Sequence, residues 1–571
     1  MKRLVVPLLV ALLLAGCSLP LPRGVQSASR VAAEQRPQDD ITVIPPGPRP
    51  GESPLQVVSG FLGAQASAAD AHGIARRFLS RAARWDDAGD LLVYDPASLL
   101  LEVPADGGTA TQVTSTATVS ARIRRDGSYD PQPPRTVTET YSVSREVDGQ
   151  WRLVAVPSGL RLTPADRDRS FSEQRTYYLA PPVPGESAHL VADPVFLADA
   201  PDLPGGATAL VRRLVAGPTA SLAGSVLTAV PAGSVVSGVT TTGSGVVEVD
   251  LSGRPGELSP AARQQLSAQL VWTLRSLPDF TGLRLHVGGQ LLDLPNTGTA
   301  VQDAASWATY DPDGLPADTP VYYVDGRRLR ALDTVLPVTP ASSPVLSDRG
   351  AVPVDQVAVT PGRTQLALVS SDGAVRLGPL KASSYPVVLR RPGLQSPSWG
   401  AGGSGLYLLE GGRRLLRVVG QDAREVPIAG GPTVLSSMAV ARDGVRIALV
   451  SGGRLLIGRI EPAGARLRVA GLVPVAPALS AVRDVSWAGP TSLVAVATLQ
   501  GTVLPVRVAV DGSSLVSLDG PGLPGQPTAV AASPGGTVVA AAGPQGSRLY
   551  RATGSGFSAL PGRGSAPAYP G

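Results

Sequence analysis

The feature that most constrains this chain is a repeat in its C-terminal half. Five stretches share one strand, turn, strand form: "VAVTPGRTQLALV", "PSWGAGGSGLYLL", "MAVARDGVRIALV", "VSWAGPTSLVAVA" and "VAASPGGTVVAAA". Aligning Val359, Trp399, Val440, Trp487 and Ala532 gives steps of 40, 41, 47 and 45 residues. One such unit cannot bury its own apolar face, so copies at this period must stack, and the spacing is that of four-stranded propeller blades. Each copy alternates up to a glycine-bearing turn and then returns as a fully apolar strand, the pattern of an inner strand covered on both faces. The stretch "SWATYDPDGLPADTPVYYVDGRRLRAL", from Ser306, reads as a degenerate first copy. Residues 300–571 are therefore expected to form a β-propeller, with six blades the preferred count and five or seven the alternatives.

The same reading disposes of a dinucleotide fingerprint. Gly400, Gly402 and Gly405 spell G-x-G-x-x-G, but the strand-like "LYLLE" follows where pyrophosphate binding needs a helix N-terminus. A blade turn is expected there. Trp399 and Trp487 hold equivalent repeat positions, which points to blade packing rather than to stacking on a sugar.

At the other end, Lys2 and Arg3 precede an apolar run from Leu4 to Ala15, broken only by Pro7, and then comes Cys17, the single cysteine in 571 residues. This is the grammar of a secretory signal, and the run is too short to cross a bilayer comfortably. Leu14-Ala15-Gly16-Cys17 resembles the lipobox of bacterial lipoproteins. That resemblance implies cleavage between Gly16 and Cys17, a diacylglycerol on the thiol and an N-acyl chain on the new N-terminus. Two or three acyl chains hold a protein on a membrane where one is marginal, since each buried CH₂ contributes about 0.8 kcal/mol. Cys17 is thus expected to be a lipid attachment point rather than a nucleophile, residues 1–16 a signal peptide, and the mature fold free of disulfides.

Residues 17–54 follow as the lipidated cysteine and a tether rich in Pro, Gly, Ser and charge, including "VIPPGPRPGESP". Loss of Lys2 and Arg3 with the signal peptide leaves 48 basic against 45 acidic residues, a formal charge of +3 in place of +5. So near-neutral a balance gives no reason to invoke nucleic acid. Lysine occurs only at positions 2 and 381, the other basic residues being arginine. That codon bias suggests a high-GC bacterium and, with the lipobox, an actinobacterium, where the anchor would sit on the extracytoplasmic face of the plasma membrane.

Residues 55–165 begin with Val57, Val58, Phe61, Leu62, Ile74, Ala75, Phe78 and Leu79 at helical spacing, which predicts two short helices. Strand-like "TATVSARIR", "TVTETYSVSRE" and "QWRLVAVP" follow, with hairpin signals at Asp126-Gly127 and Asp148-Gly149. Helices first and a curved sheet after is the order of a small NTF2-like or cystatin-like α+β domain. His72 has no obvious acid partner in sequence and is expected to be a surface or capping residue rather than a catalytic one.

Residues 175–295 read as strands at "RTYYLAP" and "HLVADPVFLA", a helix from Ala207 that stops at Gly217-Pro218, two strands about a Gly-Ser-Gly turn, a helix capped by Ser259 and Pro260, and a closing strand "TGLRLHVGGQ". Here Leu214-Val215-Ala216-Gly217-Pro218, Val230-Pro231-Ala232-Gly233, Val247 to Ser252, and Thr273-Leu274 through Pro278 to Gly288-Gly289 are similar to the successive blocks of a GerMN domain. The resemblance implies an α+β interaction module without established catalysis. Asp250, at a strand end before Leu-Ser-Gly, is expected to cap the turn rather than to catalyse.

The catalytic inventory is thin. His72, His189 and His286 lie 117 and 97 residues apart, no pair has the close helical spacing of a zinc site, no G-x-S-x-G elbow occurs, and neither lysine lies in a P-loop. Neither metal nor cofactor is expected. A lipobox, a tether, a small α+β domain, a GerMN block and a propeller, in that order, resemble the actinobacterial LpqB-type lipoproteins over essentially the whole chain. The resemblance implies a non-enzymatic accessory of a two-component system. It would bind the extracytoplasmic part of an MtrB-type sensor histidine kinase and modulate signalling to an MtrA-type response regulator, affecting cell-wall homeostasis and division. Two other readings stay open. One is an envelope glycan-binding protein or hydrolase that uses the propeller channel, which needs two carboxylates roughly 5–10 Å apart across the axis; aromatics at 4% are few for sugar stacking. The other is a small-ligand carrier that uses the N-terminal cone.

Overall fold

The computed structural model describes residues 45–571 apart from 105–107, 184–187, 201, 254–256, 295–299, 313–314, 317, 334–338, 341–352, 383, 432–433, 465 and 545–547. Gly16, Cys17 and the tether as far as residue 44 lie outside the described residues.

Ser53 starts the first helix, α1 (Pro54–Ala64), with a reciprocal cap. Its hydroxyl accepts the Gln56 N–H at 3.3 Å, while the Gln56 amide oxygen accepts the Ser53 N–H at 2.8 Å. Pro54 fills a first-turn position whose N–H would be unused in any case. With the shorter α2 (Ala69–Arg76) it packs Val57, Val58, Phe61 and Ala75 onto a sheet of β1 (Leu91–Tyr94), β2 (Leu100–Glu102), β3 (Ala110–Ile123), β4 (Tyr129–Arg145), β5 (Trp151–Ala155) and β6 (Leu160–Leu162). The order is β5-β4-β3-β1-β6, with β2 also on β3. The two Asp-Gly turns close the hairpins as expected: Gly127 and Gly149 take φ of +81° and +80°, which a side chain resists.

A short helix, α3 (Pro164–Ser170), leads straight into the middle domain. There β7 (Phe171–Leu179) and β8 (Leu190–Ala198) form a hairpin, followed by α4 (Leu203–Val215), β9 (Val236–Thr241), β10 (Val246–Leu251), α5 (Pro260–Leu274), β11 (Gly282–Val287) and β12 (Gln290–Leu291). The sheet order is β12-β11-β10-β9, and α5 carries the chain between the parallel strands β10 and β11. Every residue of α5 from Leu266 to Leu274 is buried, so this helix has no polar stripe. Its polar side chains work on β7 instead. Thr273 Oγ1 accepts the Tyr177 N–H at 3.1 Å, and the Gln269 amide donates to the Tyr177 carbonyl at 2.8 Å.

Six four-stranded sheets follow among the described residues, each a meander from an innermost strand outward. The innermost strands of five of them are Gln356–Val359, Leu394–Trp399, Leu435–Val440, Ser480–Gly489 and Ala529–Ala532, so the five aligned repeat positions all lie on innermost strands. The remaining sheet is different. Its Val321–Asp325, Arg328–Asp333 and Thr339–Pro340 strands come from its start, and its innermost strand is Ser565–Ala568, from the C-terminus. The innermost strands neighbour one another in a closed circuit, so the last strand locks the ring. We call this mixed sheet the first blade and number the others in chain order.

One expectation is corrected here. The repeat reading began the first blade at Ser306, but Trp307 belongs to the core of the middle domain: its Nε1–H donates to Ser267 Oγ at 3.1 Å, and its carbonyl accepts the Trp272 Nε1–H at 3.2 Å. A tryptophan with both polar ends satisfied by α5 is bound to that helix, and the blade instead takes its missing strand from the far end of the chain.

Candidate functional site

The innermost strands enclose an axial channel of about 290 Å³. Blades share no backbone ladder, only single backbone bonds such as Leu435 N–H to the Gly412 carbonyl, so side chains supply most of the joints, and these determine what the channel offers. Trp399 Nε1–H donates to the Ala358 carbonyl of the preceding blade at 3.2 Å, and Trp487, its repeat equivalent, donates to Ala439 at 3.0 Å. Ser398 Oγ accepts the Val440 N–H at 2.9 Å, and Ser486 Oγ accepts the Ala532 N–H at 3.0 Å. Asp484 spans three blades: one oxygen accepts Ser437 Oγ–H at 2.9 Å and the other accepts the Val530 N–H at 2.9 Å. Desolvation pushes its carboxyl above the ordinary range, against the pull of these bonds.

At one end the channel is closed by Arg442, from the turn after the fourth blade's innermost strand. Its guanidinium donates to the carbonyls of Trp487 at 3.1 Å, Ala532 at 3.3 Å and Pro570 at 3.0 Å. The other end is a mouth lined by Gln356, Gln395, Ser436, Arg483 and Thr528. A glycosidase needs two facing carboxylates, and the described lining holds Asp484 alone, already committed to structure. The N-terminal cone has a much smaller cavity. It measures about 20 Å³, room for a single water, and it is closed by Tyr94, Tyr141 and the Arg161–Glu139 ion pair. That cavity is too small for an organic ligand.

The most elaborate polar cluster is the joint between the middle domain and the propeller. The turn that carries Arg442 continues through Asp443 to Val445, and Val445 is buried in the middle-domain core. Asp443 holds the turn: Oδ1 accepts the N–H groups of Val445 at 2.8 Å and Arg446 at 3.0 Å, and Oδ2 accepts Arg446 Nε at 2.9 Å and Nη2 at 2.6 Å. His189 Nε2 lies 2.8 Å from the Asp443 carbonyl, which fixes it as the donor. Asp193, fully buried on β8, accepts the Thr219 N–H at 2.7 Å and hydroxyl at 2.8 Å; desolvation still leaves its pKa raised, despite the charges of Arg213 and Arg446.

A second joint brings all three folded parts together. Pro131 and Gly512 meet, and the Arg167 guanidinium lies 5.8 Å from the ring centre of Tyr129 and 5.5 Å from that of Phe196. Asp511 Oδ1 accepts the Ser513 N–H at 2.9 Å and hydroxyl at 2.6 Å, while its buried Oδ2 has no partner among the described residues. Desolvation raises the pKa of Asp511. It does the same for Glu173, reinforced by the like charge of Asp511. Nearby, Glu173, Arg175, Arg275, Phe280 and Asp303 border an open cleft of about 820 Å³.

The residues singled out in the sequence are not assembled into one site. His72 is not at the surface, one of the two places expected for it. It is buried against Trp85, with ring centroids 5.7 Å apart, and that burial depresses its pKa. The turn that carries it folds back under α1, which no local signal announces. His189 serves the joint. Asp250 accepts the Gly289 N–H at 3.1 Å, so it caps the turn between β11 and β12 rather than its own Leu-Ser-Gly turn, and it is the cross-strand neighbour of His286. Gly400 to Gly405 form the turn between the first two strands of the third blade. Sequence reading passed over the Asp443–Arg446 joint, although "RDGVR" is the one repeat turn with opposite charges three residues apart.

Three family profiles match the chain. They are described as Lipoprotein LpqB, N-terminal domain, over residues 47–168; Sporulation and spore germination, over residues 176–293; and Lipoprotein LpqB beta-propeller domain, over residues 334–570. Similar whole chains include Lipoprotein LpqB of Cutibacterium acnes, 31% identical over 89% of this chain and 88% of that one. The same-named protein of Thermobifida fusca is 28% identical over 94% and 92%, and that of Mycobacterium bovis strain BCG is 28% identical over the full length of both. Among solved structures, TolB of Acinetobacter baumannii aligns at 17% identity with a TM-score of 0.33, covering 49% of this chain and 74% of that one.

Proposed function

This chain belongs to the LpqB lipoprotein family, and from that membership we propose that it binds the extracytoplasmic domain of an MtrB-type sensor histidine kinase. In this reading it is anchored on the outer face of the plasma membrane through a diacylglycerol and an N-acyl chain on Cys17. Binding tunes the kinase's signalling to an MtrA-type regulator, and through it cell-wall homeostasis and division. The observation that carries the proposal is similarity to LpqB lipoproteins over nearly the whole chain. Those relatives bear the names of lipoproteins rather than of enzymes. The commitment of Asp484 and the channel serines to joining blades agrees with a binding role.

A ligand shifts a kinase only as far as it favours one signalling state over the other, so binding must be differential. Two measurements test the parts separately. Cys17→Ala should move the protein from the membrane fraction to the soluble one; retention as firm as that of wild type would refute the anchor. Calorimetric titration of the mature Cys17→Ala chain into the purified kinase domain should give saturable binding at micromolar affinity or tighter. A flat titration by a folded chain would refute the partner.

A further inference from the structure

The propeller is the basic part of this chain: residues 300–571 hold 24 arginine and lysine residues against 17 acidic ones. The excess has a location. In each blade the innermost strand runs from the channel mouth toward the end closed by Arg442, and the second strand runs back, so the turn between second and third strands lies on the mouth side. Backbone bonds bear this out, since Leu435 N–H donates to Gly412 at 2.7 Å and Val482 N–H to Gly453 at 3.0 Å, each joining such a turn to the start of the next innermost strand. The docked turn with Val445 is on the opposite side.

Arg413 lies in one of these turns, Arg454 follows another, Arg548 starts a third strand, Arg483 lines the mouth, and Arg563 precedes the closing strand. All five are exposed, and none makes an ion pair among the described residues. Arg483 donates only to the neutral Gln526 amide, at 3.0 Å. Of the carboxylates on this side, Asp355, Asp372 and Glu410 are already paired, with Arg327, Arg390 and the Arg391–Arg414 couple. Asp484 is tied to Ser437 and Val530, which among the described residues leaves Asp325, Glu425 and Asp519 against five unpaired guanidinium groups.

We propose that this face, the mouth of the axial channel with its arginine rim, is the docking surface for an acidic segment of a protein partner. Guanidinium forks take carboxylates in bidentate fashion, so the rim holds the partner's side chains. The amides and hydroxyls of Gln356, Gln395, Ser436 and Thr528 suit a polypeptide backbone in the recess. A planar membrane surface would touch the rim and leave the recess of about 290 Å³ unfilled. The internal pairs also make the face a pattern of charge, which a protein reads and a bilayer, sensing summed charge, does not.

The proposal rests on the kinase reading and names the surface that reading lacks. Its test titrates three mature Cys17→Ala chains into the kinase's extracytoplasmic domain at low and physiological salt. They are the parent, a rim variant with arginines 413, 454, 483, 548 and 563 changed to Gln, and a control with Arg81→Gln and Arg135→Gln, both exposed on the N-terminal domain. The rim variant should lose about tenfold or more in affinity at low salt and most of its salt dependence, with the control unchanged. A rim variant with Lys at the five positions should retain most of the low-salt binding, which separates charge from folding damage. Equal binding by parent and rim variant would overturn the proposal and leave the kinase reading standing. No binding by the parent would remove both. If instead the rim substitutions abolished binding to phosphatidylglycerol vesicles and spared the kinase, the face would be a membrane surface and the proposal would fall.

Discussion

Asp443→Ala should weaken the joint between the propeller and the middle domain more than any surface change of its size. The Asp443 and Arg446 side chains are 3% and 5% exposed, and their carboxylate and guanidinium meet at 2.6 Å. Removing one partner of such a pair leaves a buried charge without compensation, at a cost of about 3–5 kcal/mol. Arg446 keeps the field of Asp193 and lies 5.7 Å from the centre of the Trp487 ring, which favours the lower half of that range. The same substitution frees the N–H groups of Val445 and Arg446, and Val445 is the residue that enters the middle-domain core. At roughly 2 °C per kcal/mol for bodies larger than a small domain, the transition should fall by roughly 6–8 °C in scanning calorimetry of the Cys17→Ala chain. Asp443→Ala combined with Arg446→Met should recover most of the loss, retaining a deficit of about 1–2 kcal/mol from the two freed turn N–H groups. A single variant within 2 °C of wild type, or a double variant no better than the single, would refute the orphaned-charge reasoning.

Trp399→Phe and Trp487→Phe each remove one bond between blades and should cost about 1–3 kcal/mol, nearly additively because they join different blades; denaturant titration reads both. Deleting residues 565–571 removes the innermost strand of the first blade and leaves Val321–Asp325 as an open edge. That chain should lose the cooperative propeller transition and aggregate at concentrations where wild type is monodisperse by light scattering. Asp511→Asn should stabilise the protein at pH 7. A carboxyl with a raised folded pKa contributes stability present below its unfolded value of about 4, and loses it as pH rises through the folded value. The advantage of the Asn variant should therefore shrink as pH falls toward 4, and a gain that persisted unchanged there would contradict the assignment.

Much of the architecture was legible because its signals are local or periodic. The 40- to 47-residue repeat placed five innermost strands, Ser259 capped the helix it precedes, and the Asp-Gly turns closed their hairpins. What escaped depends on distant partners. β1, β2 and β6 are too short to show a period and exist only by pairing with β3 or each other. The first blade's innermost strand arrives from more than 200 residues away, which no alternation can announce. The burial of His72 escaped for the same reason: Trp85 covers it across a turn without a recognisable pattern. The joint at Asp443 carried a visible charge pair, yet only the packing of Val445 shows what that pair is for.

The central claim, that this lipoprotein tunes a sensor kinase, is tested most directly by the kinase's own rate. Full-length kinase in lipid vesicles would be assayed for autophosphorylation with and without a saturating amount of the Cys17→Ala chain, added on the side that displays the extracytoplasmic domain. The account predicts a reproducible change in that rate, halved in size at the concentration where binding is half complete. An unchanged rate at saturating, independently verified occupancy would contradict it.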